Sequence, residues 1–447
     1  MTLILKVLYR FYRAFSWLRY RVRRRLTPAG WTVLIALLAA ATMGVDTENT
    51  VVYQAFTPML FLFVAAACFS IVFRARFSAR RSLPRFATAG NVFNYQIVLR
   101  NLGAKTQTDL SVLENLADPR PSFAEWTAVQ IAREKKIRSF RFDQPRQTKP
   151  FRRVAIKEAP IPRARQNHEV EVEMQMTPLR RGIVRFEGVT LARPDPLGFF
   201  RAFHSLPAPQ TLLVLPKRYS LPAIALPGIM KYQKGGVALA SHVGQSDEFV
   251  ALRDYRRGDP LRHIHWRSWA KTGKPIVKEF EDEFFVRHAL VLDTFISDPH
   301  SEAFEEAVSV AASFACTLSI QESLLDLLFV GTEAFCFTAG RGLAHSDTML
   351  EILAGVSVCL DKTFRSLEHL VIEHVLDVSG CICVLLAWDE ERRALITKLQ
   401  SVGVPLLVLL IAEPGQGERL KRSIGPGAPE RFFVLEAGHI AEGLANI

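Results

Sequence analysis

The chain has 447 residues, of which 49% are hydrophobic, and a formal net charge of +12. Residues 1–85 hold 13 basic residues against two acids, which leaves a net charge of only +1 on the remaining 362 residues. Most of the chain is therefore electrically balanced. Since it also lacks RNP-type aromatic patterns and zinc-finger spacing, we expect no nucleic acid as a partner.

Two uncharged apolar segments follow the N-terminal basic residues, at positions 31–45 and 51–73. The second is long enough to cross a bilayer core of about 30 Å, which takes roughly 20 apolar residues. The first reaches that length if residues 27–30 are included. Because a backbone in hydrocarbon must satisfy its own hydrogen bonds, the pattern predicts a two-helix transmembrane hairpin over residues 27–73. A pair of buried core helices is the alternative.

The charges around these segments predict an orientation. Basic residues precede and follow both segments, whereas the loop between them carries only Asp46 and Glu48. The positive-inside rule then predicts an inner (plasma) membrane protein with two spans, whose termini and large domains are cytoplasmic.

Residues 1–26 form a basic cytoplasmic segment in which apolar side chains recur at helical spacing. This pattern predicts an amphipathic helix in the headgroup plane, with its arginines on anionic membrane lipid. A disordered basic tail is the alternative. The apolar positions are Ile4, Val7, Leu8, Phe11, Phe15 and Leu18.

Residues 86–216 show short alternating runs separated by turn residues, without a convincing long helix. In residues 168–178, for example, the apolar side chains from Val170 to Met176 alternate with polar ones, which indicates a half-buried strand. The region is therefore predicted to form an antiparallel β-sandwich. It contains no catalytic constellation, so we expect a spacing or binding role.

Residues 217–285 contain the stretch RDYRRGDPLRHIHW, from Arg253 to Trp266. Residues 257–260 predict a turn, because glycine tolerates positive φ and proline fixes φ. Residues 261–266 are predicted to be extended. The alternation would place the following side chains on opposite edges: Arg262, Ile264 and Trp266 on one, His263 and His265 on the other.

The chemistry of this stretch leaves two interpretations open. Asp259 is well placed to accept hydrogen bonds from Arg262 or Arg256, and such a carboxylate–guanidinium clamp would fix the turn. His263 and His265 form an H-x-H pair, but no third ligand stands nearby at metal-site spacing. Two exposed or hydrogen-bonded histidines are therefore favoured over a metal site.

The same stretch, continuing through SWAKTGKPIVKEFEDE, resembles the defining motif of the domain of unknown function 58 family. RRG at 180–182, DPLGFF at 195–200 and the N-terminal hairpin fit the layout of that family. The resemblance implies a cytosolic module similar to the von Willebrand A domain and association with a MoxR-type AAA+ ATPase. The residues that match the motif are Arg253, Tyr255, Gly258, Asp259, Arg262, Ile264 and Trp266.

Residues 286–447 alternate near-continuous apolar runs with helical patterns. Buried strands that alternate with helices predict a doubly wound, mainly parallel sheet, which agrees with a von Willebrand A-like α/β domain. Such sheets bind ligands outside the carboxyl ends of their strands, where Asp293 and Asp389 fall. The runs predicted to be strands are 288–293, 324–331, 381–388 and 404–412.

The resemblance also implies a Mg²⁺ site, since the first strand of a von Willebrand A domain ends in Asp-x-Ser-x-Ser and its oxygens hold the ion. This chain has DTFIS at 293–297. Asp293 and Ser297 match, Phe295 replaces the first serine, and Asp389 could serve as a later acid. A degenerate Mg²⁺ site is one interpretation; a structural role for Asp293 at the strand end is the favoured one.

The sequence contains no Walker A motif, HExxH, GxSxG or GxGxxG. Together with the resemblance, this predicts a membrane-anchored, non-enzymatic adaptor or assembly factor that docks a MoxR-type ATPase or its client at the cytoplasmic face. The main alternative is a membrane-bound hydrolase of envelope or peptide metabolism that uses Asp259, His263 and His265. A third is a structural envelope component without a dedicated partner.

Overall fold

A computed structural model of the chain describes the residues 2–43, 50–117, 120, 122–123, 126–127, 153–222, 249–257, 259, 261–280, 287–298, 301–320, 324–339, 343–424 and 428–447. The chain divides into two compact units. The first holds Met1–Lys217 and Ser297–His300, and the second holds Arg218–Ile296 and Ser301–Ile447.

The first unit begins with three helices, α1 (Thr2–Arg25), α2 (Pro28–Met43) and α3 (Thr50–Val72). Of the helices that the structure describes, α3 is the one long and apolar enough to cross a membrane: Gln54–Ile71 has a mean hydropathy of 1.8 and is only 11% buried. Helix α2 is apolar but shorter, over Pro28–Thr42. Such exposed apolar helices are consistent with a membrane anchor. The acidic loop at 46–48 lies outside the described residues.

Helix α1 confirms the predicted N-terminal helix and carries an exposed apolar stripe. Phe11 is 72% exposed and Phe15 67%, with Leu8 and Leu18 on the neighbouring turns about half exposed. The opposite side of the helix contacts aromatic rings of the same unit, because the Tyr9 ring lies 5.5 Å from Phe123 and 5.7 Å from Trp126.

In the described part of the first unit, nine strands follow in two sheets. One sheet has the order β1-β3-β7-β5 and is antiparallel throughout. The other has the order β2-β9-β8-β4-β6 and is antiparallel except where β2 pairs with β9. The strands are β1 (Phe77–Ser82), β2 (Phe86–Thr88), β3 (Phe93–Asn101), β4 (Leu110–Leu116), β5 (Val154–Ile156), β6 (Ala159–Ile161), β7 (Glu169–Pro178), β8 (Gly182–Pro194) and β9 (Arg201–Leu215).

The two sheets share one hydrophobic core. The alternation predicted in 168–178 is confirmed, because Val172, Met174 and Met176 are buried while Glu171 and Glu173 are exposed. Strands therefore stack their apolar faces as a sandwich does. The first strand starts at Phe77, before the predicted boundary at residue 86.

A buried polar cluster lies inside this core. The Arg81 guanidinium donates to both carboxylate oxygens of Glu114, at 2.8 and 2.5 Å, and its side chain and that of Glu114 are each 1% exposed. The Tyr95 hydroxyl donates to Glu114 at 2.9 Å. Burial and the Glu114 charge raise the pKa of Tyr95 well above its ordinary value, so the phenol stays protonated as the donor.

The second unit contains a two-stranded antiparallel ribbon of β10 (Phe249–Asp254) and β11 (Ile276–Phe280). Between these strands lie a 3₁₀ helix (Leu261–His263) and the short helix α4 (Trp266–Thr272). The connection between these two strands carries most of the Arg253–Trp266 motif.

The rest of the unit is a six-stranded sheet of order β14-β13-β12-β15-β16-β17. Its pairings are parallel except for the edge strand β14, so the sheet is mainly parallel as predicted. The four predicted strand runs fall on β12, β13, β15 and β16. The strands are β12 (Arg287–Leu292), β13 (Leu324–Val330), β14 (Ala334–Ala339), β15 (Gly380–Leu385), β16 (Leu406–Ala412) and β17 (Phe432–Glu436).

In the described part of this unit, five helices connect these strands and a sixth follows β17; buried side chains of α5, α6, α7 and α8 contribute to the core. The near-continuous burial of β12, β15 and β16 is what a sheet covered on both faces requires. The helices are α5 (Glu302–Ile320), α6 (Leu343–Gly355), α7 (Arg365–Val375), α8 (Glu390–Ser401), α9 (Gly417–Ser423) and α10 (Ile440–Ala445).

Candidate functional site

The motif segment is built on the β10–β11 ribbon. Tyr255 donates its backbone N–H to the Pro275 carbonyl at 2.9 Å, and His265 donates to the Ile276 carbonyl at 2.8 Å. Ile264 is buried and forms an isolated bridge with Val277 of β11. The Tyr255–Pro275 bond therefore joins the two ends of the connection, and the contacts of Ile264 and His265 hold its middle against β11.

The prediction that residues 261–266 are extended is wrong. Leu261–His263 form a 3₁₀ helix, in which the Ile264 N–H bonds the Leu261 carbonyl at 3.2 Å, and α4 begins at Trp266. The physical reason is burial: Ile264 is buried, but Trp266, which a strand would place on the same edge, is 64% exposed. The segment therefore lacks the single apolar face that would hold it as a strand.

Asp259 is the centre of a clamp that fixes the turn before the 3₁₀ helix. Its carboxylate accepts from both terminal nitrogens of Arg253, at 2.7 and 2.9 Å, and from the Arg256 backbone N–H at 2.8 Å. The Arg253 and Arg256 hydrogen bonds lower the pKa of Asp259 to about 2. The predicted carboxylate–guanidinium clamp therefore exists, but its arginine is Arg253, and Arg256 contributes its backbone.

Two indole rings form the most prominent surface of the segment, the tryptophan pair of Trp266 and Trp269. Their centroids lie 5.3 Å apart with planes 18° from parallel. The Trp266 side chain is 64% exposed, and α4 contains no buried residue. The helix ends at Gly273, whose φ of 71° is the left-handed conformation that glycine adopts most readily, and its N–H bonds the Trp269 carbonyl at 2.9 Å.

Of the remaining motif residues, Tyr255 is half-buried, Gly258 lies outside the described residues, and Arg262 is placed by its backbone alone, in the 3₁₀ helix. Exposed basic side chains surround them along the sequence. These are Arg256, Arg257, Arg267, Lys271 and Lys274.

The two histidines of the motif have separate surroundings. The Nδ1 atom of His265 lies 2.7 Å from the Ser268 hydroxyl, one turn into α4. His263 is half-buried in the 3₁₀ helix. In the described part of the chain, no group of three or more His, Cys, Asp or Glu side chains could hold a metal ion.

A second polar cluster, the strand-end cluster of Asp293, Asp389 and Arg392, lies at the carboxyl edge of the six-stranded sheet. Asp293 follows β12 and is fully buried. It accepts from the backbone N–H groups of Phe295 at 2.9 Å and Leu386 at 3.0 Å. Arg392 of α8 adds its Nε at 2.6 Å and one terminal nitrogen at 3.2 Å.

Asp389 meets the same guanidinium from the other side. It is the N-cap of α8, where its side chain accepts the Arg392 backbone N–H at 3.1 Å and also binds the second terminal nitrogen of Arg392. Ser297 is exposed. The structure thus brings two of the three predicted acid and hydroxyl ligands together, around an arginine that the sequence analysis did not name.

This donor set does not fit the Mg²⁺ that the resemblance implies. Each Asp293 oxygen already accepts two hydrogen bonds, one from the backbone and one from Arg392. A hard cation needs free oxygen lone pairs, and the position between the two carboxylates holds a positive guanidinium instead. The sequence signal for Arg392 is the spacing Asp-x-x-Arg after a strand end, which places an arginine in the first turn of the next helix.

Comparison with known proteins shows that a family model matches the segment that contains the motif. Residues 251–371 match the family model described as "Protein of unknown function DUF58". Uncharacterized protein YeaD of Bacillus subtilis is 29% identical over 204 residues, which are 45% of this chain and 48% of YeaD. The chain thus matches about half the length of this curated relative. Both findings support a relationship to the DUF58 family.

Solved structures with some similarity are distant. A CARDB domain from Pyrococcus furiosus is 11% identical, with 31% of this chain and 93% of that domain covered at a TM-score of 0.16. A cohesin module from a Clostridium perfringens family 33 glycoside hydrolase is 8% identical, with 32% and 98% covered at a TM-score of 0.16. Similarity at this level carries no argument about fold or function.

Proposed function

We propose that this chain, which carries the DUF58 match over residues 251–371, is a membrane-anchored, non-enzymatic adaptor or assembly factor. It docks a MoxR-type AAA+ ATPase or the client of that ATPase at the cytoplasmic face. The observation that carries the proposal is the stacked tryptophan pair inside the matched segment, in which Trp266 is exposed and Trp269 half-buried.

The tryptophan pair has the properties of a protein-binding hot spot. Tryptophan and arginine are the side chains most enriched among residues whose truncation weakens protein complexes. Trp266 exposes most of a large apolar ring to solvent, and burying it in a partner is favourable by roughly 25 cal/mol for each Å² of apolar surface. A partner surface that covers Trp266 would therefore gain binding energy from one side chain.

The surface is also held in place before any partner arrives. The clamp between Asp259 and Arg253 fixes the turn. The Tyr255–Pro275 bond joins the two ends of the connection, and the His265–Ile276 bond holds its middle against β11. A preorganised surface loses little conformational entropy on binding. Its exposed basic side chains favour an acidic partner surface, whose approach they would steer in a salt-dependent manner.

The architecture of the second unit supports the same proposal. Strand β12 lies in the middle of its sheet, with the remaining parallel strands on both sides and one antiparallel edge strand. This order is compatible with the von Willebrand A-like domain that the resemblance implies. Domains of that kind bind partners at the carboxyl edge of the sheet, as ligands of open α/β sheets commonly do.

The first unit supplies the membrane anchor in this proposal. Helices α2 and α3 form the hairpin, with α1 lying in the headgroup plane on anionic lipid and both termini in the cytoplasm. The support is the exposed apolar stripe of α1, its eight basic residues without any acid, and the exposed apolar surface of α3.

The experiment that tests the function is affinity capture of the tagged chain from gently solubilised membranes, with ATP and Mg²⁺ present or absent. The double variant Trp266→Ala/Trp269→Ala is compared with Leu376→Ala, which removes a 70% exposed apolar side chain beyond the matched residues. We expect nucleotide-dependent recovery of an AAA+ ATPase with the native chain and with Leu376→Ala, and its loss with the double variant. Recovery of no ATPase from the native chain would overturn the adaptor function, and equal recovery with the double variant would overturn the docking surface.

One contact favours the alternative of a membrane-bound hydrolase, namely the 2.7 Å approach of His265 Nδ1 to the Ser268 hydroxyl. A histidine that accepts a serine proton is the first element of a nucleophilic site. Asp259, however, is held by Arg253 with a pKa of about 2, so it is a weak base. Turnover of an ester or amide substrate that is abolished in both His265→Ala and Ser268→Ala would establish this alternative.

A further inference from the structure

The strand-end cluster contains a carboxylate that has no access to solvent. Asp293 is 0% exposed, and the Arg392 side chain that pairs with it is 5% exposed. A buried charge is tolerated only when it is paired and hydrogen-bonded, because its desolvation is expensive. Something positive must therefore occupy the space beside Asp293 in the folded chain.

Arg392 supplies this positive charge, and four groups hold it in place. Its guanidinium binds both oxygens of Asp293, the outer carboxylate of Asp389, and the carbonyl oxygen of Phe295 at 2.9 Å. Its carbon centre also lies 4.7 Å from the centroid of the Phe364 ring, a cation–π distance. Burial opposes the charge, but the Asp293 and Asp389 carboxylates outweigh it and raise the pKa of Arg392.

Phe295 takes part in the same arrangement, although its side chain has no ligand atom. Its backbone N–H donates to Asp293 and its carbonyl accepts from Arg392, so the backbone completes the cluster. Its ring packs edge-on against Phe364, with centroids 5.7 Å apart, and Phe364 in turn lies beneath the guanidinium. The phenylalanine in the serine position and the arginine in α8 are therefore parts of one packed unit.

We propose that Arg392 is the resident cation of this sheet edge, in the position that a divalent metal ion takes in the related domains. The guanidinium neutralises the same carboxylates, and it leaves no open coordination position for a partner's carboxylate. Partner binding at this edge is then independent of divalent metal. The proposal concerns the cluster itself and does not depend on the adaptor function.

The direct test uses the full chain in lipid nanodiscs. Binding of Mn²⁺ is measured by electron paramagnetic resonance, and thermal unfolding is followed in Mg²⁺ and in EDTA. We expect no stoichiometric Mn²⁺ binding by the native chain and the same unfolding temperature in both conditions. A native chain that binds one Mn²⁺ and loses stability in EDTA would overturn the proposal without any variant.

Removal of the guanidinium supplies the second test. Arg392→Ala is compared with Arg393→Ala, which removes the exposed neighbouring arginine of the same helix. Breaking a buried ion pair predicts a fall of about 10 °C in the unfolding temperature for Arg392→Ala, and Arg393→Ala is expected to change it by less than about 2 °C. Millimolar methylguanidinium should restore part of the loss in Arg392→Ala alone, because the free cation can enter the vacated space.

Two outcomes of the variant test would contradict the proposal. One is equal stability of Arg392→Ala and Arg393→Ala. The other is recovery of Arg392→Ala by potassium as fully as by methylguanidinium, which would mean that the geometry of the guanidinium is irrelevant. If Arg392→Ala does not fold, Arg392→Lys is tested instead, because it keeps the charge without the bidentate contact to Asp293. A stability of Arg392→Lys equal to that of the native chain would then reject the assignment.

Discussion

The carbonyl oxygen of Phe199 accepts the backbone N–H of Thr27 at 3.1 Å, and the Thr27 hydroxyl donates to the adjacent Gly198 carbonyl at 2.5 Å. Thr27 immediately precedes helix α2, and Phe199 lies at the tip of the β8–β9 hairpin. Within the first unit, the sandwich is therefore bonded to the point where the apolar helices begin. The DPLGFF sequence at 195–200 has a structural role in this joint, since the Phe200 ring also packs 4.8 Å from Phe63 of α3.

Substitution of Gly30 should disrupt this joint. A Cβ atom at Gly30 would lie 2.1 Å from the Phe199 carbonyl oxygen, which forces the backbone apart. We expect Gly30→Ala to lower the free energy of unfolding by about 1–3 kcal/mol, despite a helix-propensity gain of about 1 kcal/mol. Thermal unfolding and protease sensitivity measure the change. Gly355→Ala is the control, because a Cβ there meets none of the described atoms within 4 Å; equal effects at both positions would contradict the prediction.

The buried Arg81–Glu114 pair should be far more sensitive than an exposed pair of the same type. Glu114→Ala leaves the Arg81 guanidinium uncompensated in the core, so it should destabilise the chain by about 3–5 kcal/mol. Glu158→Ala breaks the Arg201–Glu158 pair, whose side chains are 31% and 35% exposed, and should change stability by less than about 1 kcal/mol. Chemical denaturation of both variants checks this, and similar losses would mean that the cluster does not support the core.

His288 should make the stability of the chain depend on pH. It is 3% exposed, burial lowers its pKa, and in the described part of the chain its Nδ1 is a buried polar atom without a hydrogen-bond partner. The unfolded chain binds the proton below about pH 6.5, before the folded chain does, so stability falls as the pH drops from 7 towards the lowered pKa. The slope should reach at most about 1.4 kcal/mol per pH unit.

The test for His288 is chemical denaturation at several pH values between 5 and 8. His288→Gln should flatten the acid side of the profile, because glutamine does not titrate. His439→Gln removes a histidine whose side chain is 68% exposed and should leave the profile unchanged. An unchanged slope in His288→Gln would assign the pH dependence to another group.

Asp259 should hold the tryptophan pair in its stacked geometry. Its carboxylate ties β10 to the turn through Arg253, so Asp259→Asn should reduce the exciton signal of the stacked indoles in circular dichroism. Asp254→Asn, which alters the exposed carboxylate at the end of the same strand, should not. Trp266→Phe identifies which part of the signal belongs to the pair.

The same clamp should resist acid. Because the folded-state pKa of Asp259 is lowered from 3.8 to about 2, its contribution is fully present above pH 3.8 and is lost as the pH falls towards 2. The exciton signal of the native chain is therefore expected to stay constant between pH 8 and pH 5. A decline over that range would show that another titrating group controls the geometry.

The predictable parts of the fold are those in which burial requires a recognisable pattern of apolar residues. Strands β12, β13, β15 and β16 are covered on both faces, so they read as continuous apolar runs. Strand β1 was missed because one of its buried positions is Arg81, a charged residue. Its burial depends on partners distant in sequence: the Glu114 carboxylate and the carbonyls of Gly188 and Ala208. The edge strand β14 was missed because its side chains are mainly exposed.

In the candidate site, too, contacts between residues distant in sequence were not predictable. The clamp on Asp259 was predictable as a charge pair, but the choice of Arg253 over Arg262 depends on the ribbon that brings β10 beside the turn. Arg392 is one of two adjacent arginines in the first turn of α8. Only the packing of α8 against the strand end places it beside Asp293, which is 99 residues earlier in the chain. The Asp-x-x-Arg spacing indicates only the bond between Arg392 and Asp389, and no local pattern indicates the pairing with Asp293.

The way Phe295 serves the strand-end cluster has a consequence for how the site could change. Its contacts with Asp293 and Arg392 are made by the backbone, so Phe295→Ser alone would supply the first serine of an Asp-x-Ser-x-Ser pattern and leave every donor to Asp293 in place. Loss of Arg392 alone would leave the buried Asp293 carboxylate without a counter-ion. A metal-binding form therefore requires at least two substitutions, Phe295→Ser and the replacement of Arg392. If Arg392 is replaced first, the intermediate is markedly unstable. Selection for stability alone would keep such a sheet edge in its arginine-bound form.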